Sequence, residues 1–212
     1  MMAWYVFALT DTAPAGRPVR GLRAPVSFRR MGGVFAAVER RADVPPPALG
    51  SLRRHQQVVD RLAARVPAIL PVRFGTLLEA RELREAVQTR QEDFEDALAL
   101  VRDSVQFTWR AAQASSPSTV QADARSGTEY LLRLAISGRE GALRAIPKAL
   151  RPLVVGERQQ PATGALPAAT YHLVRKRNAE AYVRAARHER ARKRTLTFSG
   201  PWPPYAFTPA LV

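Results

Sequence analysis

The sequence predicts an α+β protein in two parts, and three kinds of segment lead to this fold class. Short apolar runs bounded by glycine or proline predict strands. Apolar residues that recur at helical spacing predict amphipathic helices. A polar, proline-containing segment at residues 113–127 predicts a linker. We therefore predict an N-terminal α+β domain at residues 1–112 and a C-terminal α+β domain at residues 128–212.

Three strands are predicted at the start of the first domain. Residues 5–9 form an apolar run, and no basic residue precedes it as in a signal peptide, so the run predicts a buried strand. Residues 26–28 and residues 34–38 are two further apolar runs on either side of Gly32 and Gly33. Two such runs separated by a glycine pair indicate a hairpin.

A helix, a strand and a second helix follow. The first helix is predicted from one apolar stripe, consisting of Leu52, His55, Val59, Leu62 and Val66. Residues 68–74 predict a buried strand, which Pro71 restricts to a sheet edge or a bulge. Residues 76–79 predict a capping box at the start of the second helix. The stripe of that helix consists of Leu83, Val87, Phe94, Leu98 and Val101.

The first domain ends with residues 105–109, which alternate between apolar and polar as a half-buried strand does. The resulting order of strands and helices is close to a ferredoxin-like pattern with an added strand. The predicted fold of this domain is therefore a modified ferredoxin-like one.

The C-terminal domain is also predicted to mix helices and strands. Helical spacing is present over residues 143–153, and residues 157–166 are predicted as a loop. Residues 169–175 alternate as a strand does. Asn178 predicts the N-cap of a basic helix, and residues 195–198 predict a last strand.

The sequence contains no pattern of a catalytic, metal or cofactor site. It has no cysteine, so it can form neither disulfides nor thiolate sites. Its histidines, His55, His172 and His188, show no metal-ligand spacing. Phosphate-binding glycine loops and a nucleophile elbow are also missing. We predict that the protein is not an enzyme, needs no cofactor or metal, and takes no small-molecule substrate, and that His55 faces the core.

The formal net charge of +15 indicates an anionic partner or a compositional bias toward arginine. Residues 1–112 hold 17 basic and 12 acidic residues, and residues 113–212 hold 16 and 6. The predicted basic helix includes Arg184 and Arg187, but Tyr182 is the only aromatic residue there that could stack on a base. An acidic protein partner, or a charge-paired surface, is therefore favoured over specific nucleic-acid recognition.

Arg73 lies within an apolar run, directly before Phe74. A guanidinium in such a run must reach water or a counter-charge. Two interpretations follow: a buried arginine that ties the strand to a carboxylate or to carbonyls, or an arginine that contacts a partner together with Phe74.

The C-terminal tail alternates aromatic residues with prolines. Trp202, Tyr205 and Phe207 are separated by prolines that stiffen an extended chain. We expect this tail to fold back on the protein, with Trp202 packed against its body.

Two motifs, far apart in the chain, resemble a known family. Residues 71–76 read Pro-Val-Arg-Phe-Gly-Thr, and residues 200–207 read Gly-Pro-Trp-Pro-Pro-Tyr-Ala-Phe. Together with His55, they resemble the gas vesicle GvpF/GvpL family. The resemblance implies an N-terminal modified ferredoxin-like domain and a C-terminal α+β domain. It implies neither an enzyme activity nor a cofactor.

The same resemblance implies a function in gas vesicle assembly. It implies an accessory or minor structural protein that binds the shell subunit and other accessory proteins, in the cytoplasm and at the gas vesicle. Candidate partner-binding residues are Arg73, Phe74, Arg184, Arg187, Trp202 and Tyr205. No apolar run reaches the roughly 20 residues that span a bilayer, so we expect no membrane partner.

Two alternatives stay open from the sequence. One is a basic, non-specific nucleic-acid-binding protein, whose binding would collapse with salt. The other is an enzyme whose active site matches no known motif.

Overall fold

A computed structural model describes residues 3–111, 148–163, 167–192 and 196–211 of the chain. By its internal contacts, the chain forms two units. The first comprises Met1–Gln106 and Trp202–Val212, and the second comprises Phe107–Pro201. The C-terminal tail therefore belongs to the first unit, although the sequence places it in the C-terminal domain. The linker predicted at residues 113–127 lies outside the described residues.

Each unit combines strands with helices. The strands are β1 (Ala3–Thr10), β2 (Ser27–Met31), β3 (Val34–Arg41), β4 (Ile69–Pro71), β5 (Leu77–Leu78), β6 (Ser104–Ala111), β7 (Val154–Gln160), β8 (Ala169–Arg175) and β9 (Leu196–Trp202). The α-helices are α1 (Leu49–Ala63), α2 (Ala80–Thr89), α3 (Gln91–Val101) and α4 (Ala179–Arg192). The described residues thus form a mixed α/β protein. None of their helices is both long and apolar enough to span a bilayer.

The first unit contains an antiparallel sheet in the order β2-β3-β1-β4, with β5 also paired to β1. The predicted hairpin between β2 and β3 is confirmed. Its turn contains Gly32 with a φ of 63°, a conformation that glycine adopts at little cost. The pairing of β1 with β3 shifts register between Val6 and Ala8, which indicates a bulge at Phe7.

Strand β1 lies at the centre of this unit. Its residues from Tyr5 to Thr10 are all fully buried, so both faces of the strand are covered. Helix α1 packs Val58, Val59 and Leu62 into one cluster with Tyr5 and with residues of β3 and β4. Helices α2 and α3 also contact this sheet. The core of the first unit therefore forms around the strand that the sequence predicts first.

A buried carboxylate holds the loop that precedes β2. Glu39 of β3 accepts hydrogen bonds from the main-chain N–H groups of Leu22, Arg23 and Ala24, at 2.6, 3.0 and 3.2 Å. The guanidinium of Arg41 lies 3.8 Å from the same carboxylate. These bonds satisfy a buried charge and fix the loop against the sheet.

Two predictions for the second helix of this unit are wrong. The capping box lies at Glu79 and Glu82, three residues later than predicted, because residues 77–78 pair with β1 as strand β5. The single predicted helix is two helices, since Arg90 leaves the helical conformation with φ −125° and ψ 30°. The Arg90 side chain pairs with Asp93 and donates to the carbonyl of Ala210 in the tail.

The second unit contains a sheet in the order β7-β8-β6-β9, in which β7 and β8 are antiparallel. Strands β6, β8 and β9 confirm the predicted strands at those places. Strand β7 contradicts the predicted loop at residues 157–166: it is an exposed edge strand rich in polar residues, so it shows no apolar alternation. Helix α4 begins at Ala179, directly after Asn178 as predicted, and a short 3₁₀ turn at Lys176–Asn178 precedes it.

Candidate functional site

Three aromatic rings of the first unit surround the imidazole of His55. The centroid of His55 lies 5.7 Å from Tyr5, 5.6 Å from Phe7 and 5.7 Å from Phe74. The rings of Tyr5 and Phe74 meet the imidazole edge-on, a favourable arrangement for aromatic pairs. The side chain of His55 is buried, which confirms the prediction that it faces the core.

A chain of hydrogen bonds orients this imidazole. The N–H of Gly75 donates to the Tyr5 hydroxyl at 3.2 Å, and that hydroxyl lies 2.9 Å from Nδ1 of His55. A Tyr5 hydroxyl that accepts from Gly75 and donates its own proton to Nδ1 pairs with a neutral His55 that carries its proton on Nε2. Burial lowers the pKa of His55 to about 4, against an opposing contact with the main chain of Val72. The buried Nε2 atom has no hydrogen-bond partner of good geometry among the described residues.

The C-terminal tail closes one side of this cluster. The Tyr205 hydroxyl donates to Oε1 of Gln56 at 2.8 Å, and burial raises the Tyr205 pKa above its usual value. The N–H of Ala206 donates to Oε1 of Gln106 at 2.7 Å. Phe207 is buried. The prediction that the tail folds back is therefore confirmed within the first unit.

An open cleft of about 330 Å³ lies above His55. It is lined by Leu52, Arg53, His55, Gln56, Phe74 and Tyr205. Leu52 and Leu49, one turn earlier on α1, are exposed apolar residues, and so is Val44. Val44 lies against Gly75, since a Cβ atom built on that glycine would be 3.5 Å from it. We call the cleft, together with the exposed apolar residues next to its lining residues, the α1 cleft. Its apolar members are Val44, Leu49, Leu52, Phe74 and Tyr205.

Exposed arginines adjoin the lining residues of the α1 cleft in the chain. Arg53 lines the cleft itself, Arg54 follows it on α1, and Arg73 lies between β4 and Phe74. The side chains of Arg53 and Arg73 form no ion pair with any carboxylate in the described part of the chain. The interpretation of Arg73 as a buried, strand-tying arginine is therefore wrong: after Pro71 the chain leaves the sheet, and the side chain reaches solvent.

The second unit has its own buried polar network. The Nε1–H of Trp109 donates to the Tyr182 hydroxyl at 2.7 Å, and that hydroxyl lies 2.7 Å from Nδ1 of His172. Nε2 of His172 lies 3.4 Å from Oε2 of Glu157. Burial lowers the pKa of His172 although the Glu157 carboxylate acts in the opposite direction, and burial raises the pKa of Tyr182.

Substituting Tyr182 with Phe is expected to lower the free energy of unfolding by about 1–3 kcal/mol, because it leaves two buried polar atoms without a partner. The ring stacked on Phe107, with a centroid distance of 4.5 Å, is retained, so packing changes little. Tyr171→Phe is the matched control, since its hydroxyl binds Gln160 at the partly buried end of the same sheet. Denaturant titration measures the free energy of unfolding of both variants. Equal losses would show that the buried network stabilises the protein no more than the partly buried hydrogen bond of Tyr171 does.

The predicted partner-binding residues fall into separate places. Phe74 and Tyr205 both line the α1 cleft, and the exposed Arg73 directly precedes Phe74 in the chain. Arg184 and Arg187 are exposed on α4 of the second unit. Trp202 is 41% exposed, so the prediction that it packs on the body is wrong, and Phe207 is the buried aromatic of the tail.

Several residues of the α1 cleft are missing from the sequence prediction. Leu49 precedes the apolar stripe, and Leu52 belongs to it yet points to solvent. The three prolines that follow Val44 do not indicate whether its side chain is buried or exposed.

No group of histidine, aspartate or glutamate side chains able to hold a metal is found among the described residues.

Both units thus combine helices and strands around a buried tyrosine–histidine pair, and the first unit presents a largely apolar cleft. A family model described as gas vesicle synthesis protein GvpL/GvpF matches residues 3–209, so the chain belongs to the GvpL/GvpF family. This confirms the resemblance found in the sequence motifs.

Solved structures agree at the level of the fold. The gas vesicle protein GvpF from Anabaena sp. PCC7120 is similar with a TM-score of 0.75 and 14% identity, over 99% of this chain and 97% of that one. GvpF from Microcystis aeruginosa is similar with a TM-score of 0.73 and 12% identity, over 97% and 98%. No curated protein matches the chain significantly.

Proposed function

We propose that this protein is an accessory or minor structural component of gas vesicles, which binds the shell subunit and other accessory proteins during vesicle assembly. The observation that carries the proposal is membership of the GvpL/GvpF family over nearly the whole chain. The place of action is the cytoplasm, at the growing gas vesicle.

The α1 cleft supports a protein-binding role. A vesicle shell subunit must bury apolar surface when it polymerises, and it is aggregation-prone before that step. An adaptor that presents an apolar surface with charged flanks can hold such a subunit until it is added.

The finer description of the fold belongs to the same proposal. We propose that the first unit is a modified ferredoxin-like domain and that the second is a separate α+β domain. The antiparallel sheet of the first unit, with helices α1, α2 and α3 in contact with it, supports this description.

Co-purification tests the proposed function. The full chain, tagged at its N-terminus, is isolated from cells that express a complete gas vesicle gene cluster, and nuclease is added to remove nucleic-acid bridges. We expect the shell subunit and other vesicle proteins to be recovered with the tagged chain. The control is a tagged unrelated protein of similar net charge, which should recover none of them. Recovery of no vesicle component from a strain that makes vesicles would overturn the proposal.

A further inference from the structure

We propose that the α1 cleft is the docking surface for an amphipathic helix of the partner, with an apolar face and carboxylates along its flank. This inference rests on the proposed function and goes beyond it, because it assigns the binding surface and the chemistry of the segment that binds.

The apolar residues of this surface come from α1, from the segment before it, from the loop after β4 and from the tail. Leu49 and Leu52 lie on the same side of α1, one turn apart. Leu52 lines the cleft with Phe74 and Tyr205, and Val44 covers the loop beyond Phe74 at Gly75. From Leu49 to Gln56 the helix rises by roughly 10 Å, which equals about two turns of an opposing helix.

The charges around the cleft select the partner. Arg53 lines the cleft, Arg54 follows it on α1, and Arg73 precedes Phe74. Arg53 and Arg73 bind no carboxylate of the described residues, so their charges are available to one from outside. A segment that is apolar on one face and acidic at its margin complements this pattern, whereas a basic segment is repelled.

A helix fits this surface better than an added strand. Strand addition needs a free row of main-chain N–H and C=O groups at a sheet edge. Near the cleft, β4 has only three residues, all of them buried, and Pro71 lacks an N–H group. The cleft is instead lined by side chains, as in the grooves that receive the apolar face of a helix.

Affinity measurements with the full chain test the apolar part. The probe is the shell subunit, kept soluble as a fusion to a carrier protein, and binding is followed by fluorescence anisotropy. We expect Leu49→Ser combined with Leu52→Ser to weaken binding at least about tenfold. Leu100→Ser is the matched control, because Leu100 on α3 is 40% exposed and Leu52 is 41% exposed, and we expect it to bind as the wild type does.

Charge reversal tests the flank. We expect Arg53→Glu combined with Arg73→Glu to weaken binding strongly at low salt and to recover partly as salt rises, while wild-type binding weakens with salt. Arg84→Glu is the control, because it also replaces an exposed arginine with a glutamate but lies on α2. We expect it to bind as the wild type does. Thermal melting of each variant must match the wild type, so that loss of the fold is not read as loss of binding.

The outcomes separate the two proposals. If the wild-type chain binds no shell subunit, the proposed function fails and this inference fails with it. If the wild type binds and all cleft variants bind equally well, only the docking surface is wrong. If sedimentation shows that the wild type is a dimer and the Leu49/Leu52 variant a monomer, the cleft contacts a second copy and the inference is overturned.

Discussion

Replacing Phe207 with Ala is expected to lower the free energy of unfolding by about 3–5 kcal/mol, the usual cost of emptying a buried aromatic site. Phe207 is 1% exposed and lies in a short 3₁₀ helix at Tyr205–Phe207, which contacts strand β4. Its neighbours Tyr205 and Ala206 hydrogen-bond to Gln56 and Gln106, so the tail has little freedom to shift and fill the cavity left by the ring.

Trp202→Ala is the matched control within the same tail. Because Trp202 is 41% exposed, its truncation removes less buried apolar area than that of Phe207, and we expect a smaller loss in the free energy of unfolding. Denaturant titration and the melting temperature measure both variants. If Trp202→Ala lowered the free energy of unfolding as much as Phe207→Ala does, the tryptophan would anchor the tail, as the sequence predicts.

Truncation after Ser199 extends this prediction to function. It removes Tyr205 from the α1 cleft together with Phe207 and Leu211 from the buried residues. We expect a lower melting temperature and loss of vesicle formation together. Unchanged melting with lost vesicles would show instead that the tail acts as a partner-binding element.

The sequence predicts the elements of the first unit well wherever one periodicity dominates. The run at residues 5–9 becomes the fully buried strand β1, and the glycine pair becomes the turn between β2 and β3. The stripe on α1 holds at His55, Val59 and Leu62, whereas Leu52 is exposed and the buried Val66 lies beyond the end of the helix. Local patterns report burial correctly when the same face of an element meets the core along its whole length.

The predictions fail where tertiary contacts outweigh the local pattern. Residues 77–78 fit a helix start, yet their pairing with β1 draws them into a strand. Strand β7 is polar because it lies at a sheet edge, and it therefore lacks the alternation that marks a half-buried strand. Arg90 interrupts the helix, although the apolar stripe continues from α2 into α3.

The candidate site is predicted from sequence only where a local motif marks its residues. Phe74 and Tyr205 are found from their motifs, and the fold brings them to one cleft although 131 positions separate their numbers. The exposure of Leu49 and Val44 depends on what packs nearby, which no sequence pattern reports. Likewise, the bonds from the residues 22–24 main chain to Glu39 arise only when the loop closes on β3.

The two units share one physical device, a tyrosine hydroxyl bonded to Nδ1 of a buried histidine. Tyr5 and His55 form the pair in the first unit, and Tyr182 and His172 form it in the second. In both pairs the hydroxyl also accepts an N–H, from Gly75 or from Trp109. A hydroxyl that donates its proton to Nδ1 requires a neutral histidine, because a protonated ring has no acceptor nitrogen.

Acidification is therefore expected to destabilise the protein before most carboxylates titrate. The pKa of His55 falls from 6.5 in the unfolded chain to about 4 in the folded one, because burial disfavours the charged ring. A depressed pKa means that the stabilisation is fully present above pH 6.5 and is lost as the pH falls toward 4. This shift corresponds to about 3 kcal/mol, and the lowered pKa of His172 acts in the same direction.

The free energy of unfolding, measured by denaturant titration between pH 7.5 and 4, checks this expectation. His55→Gln removes the titrating group, so its stability should depend less steeply on pH than that of the wild type. His188→Gln is the control, because His188 is exposed on α4. If His55→Gln and the wild type lost stability in parallel down to pH 4, His55 would have to be protonated in the folded state, and the bond from Tyr5 to Nδ1 could not be the one that orients it.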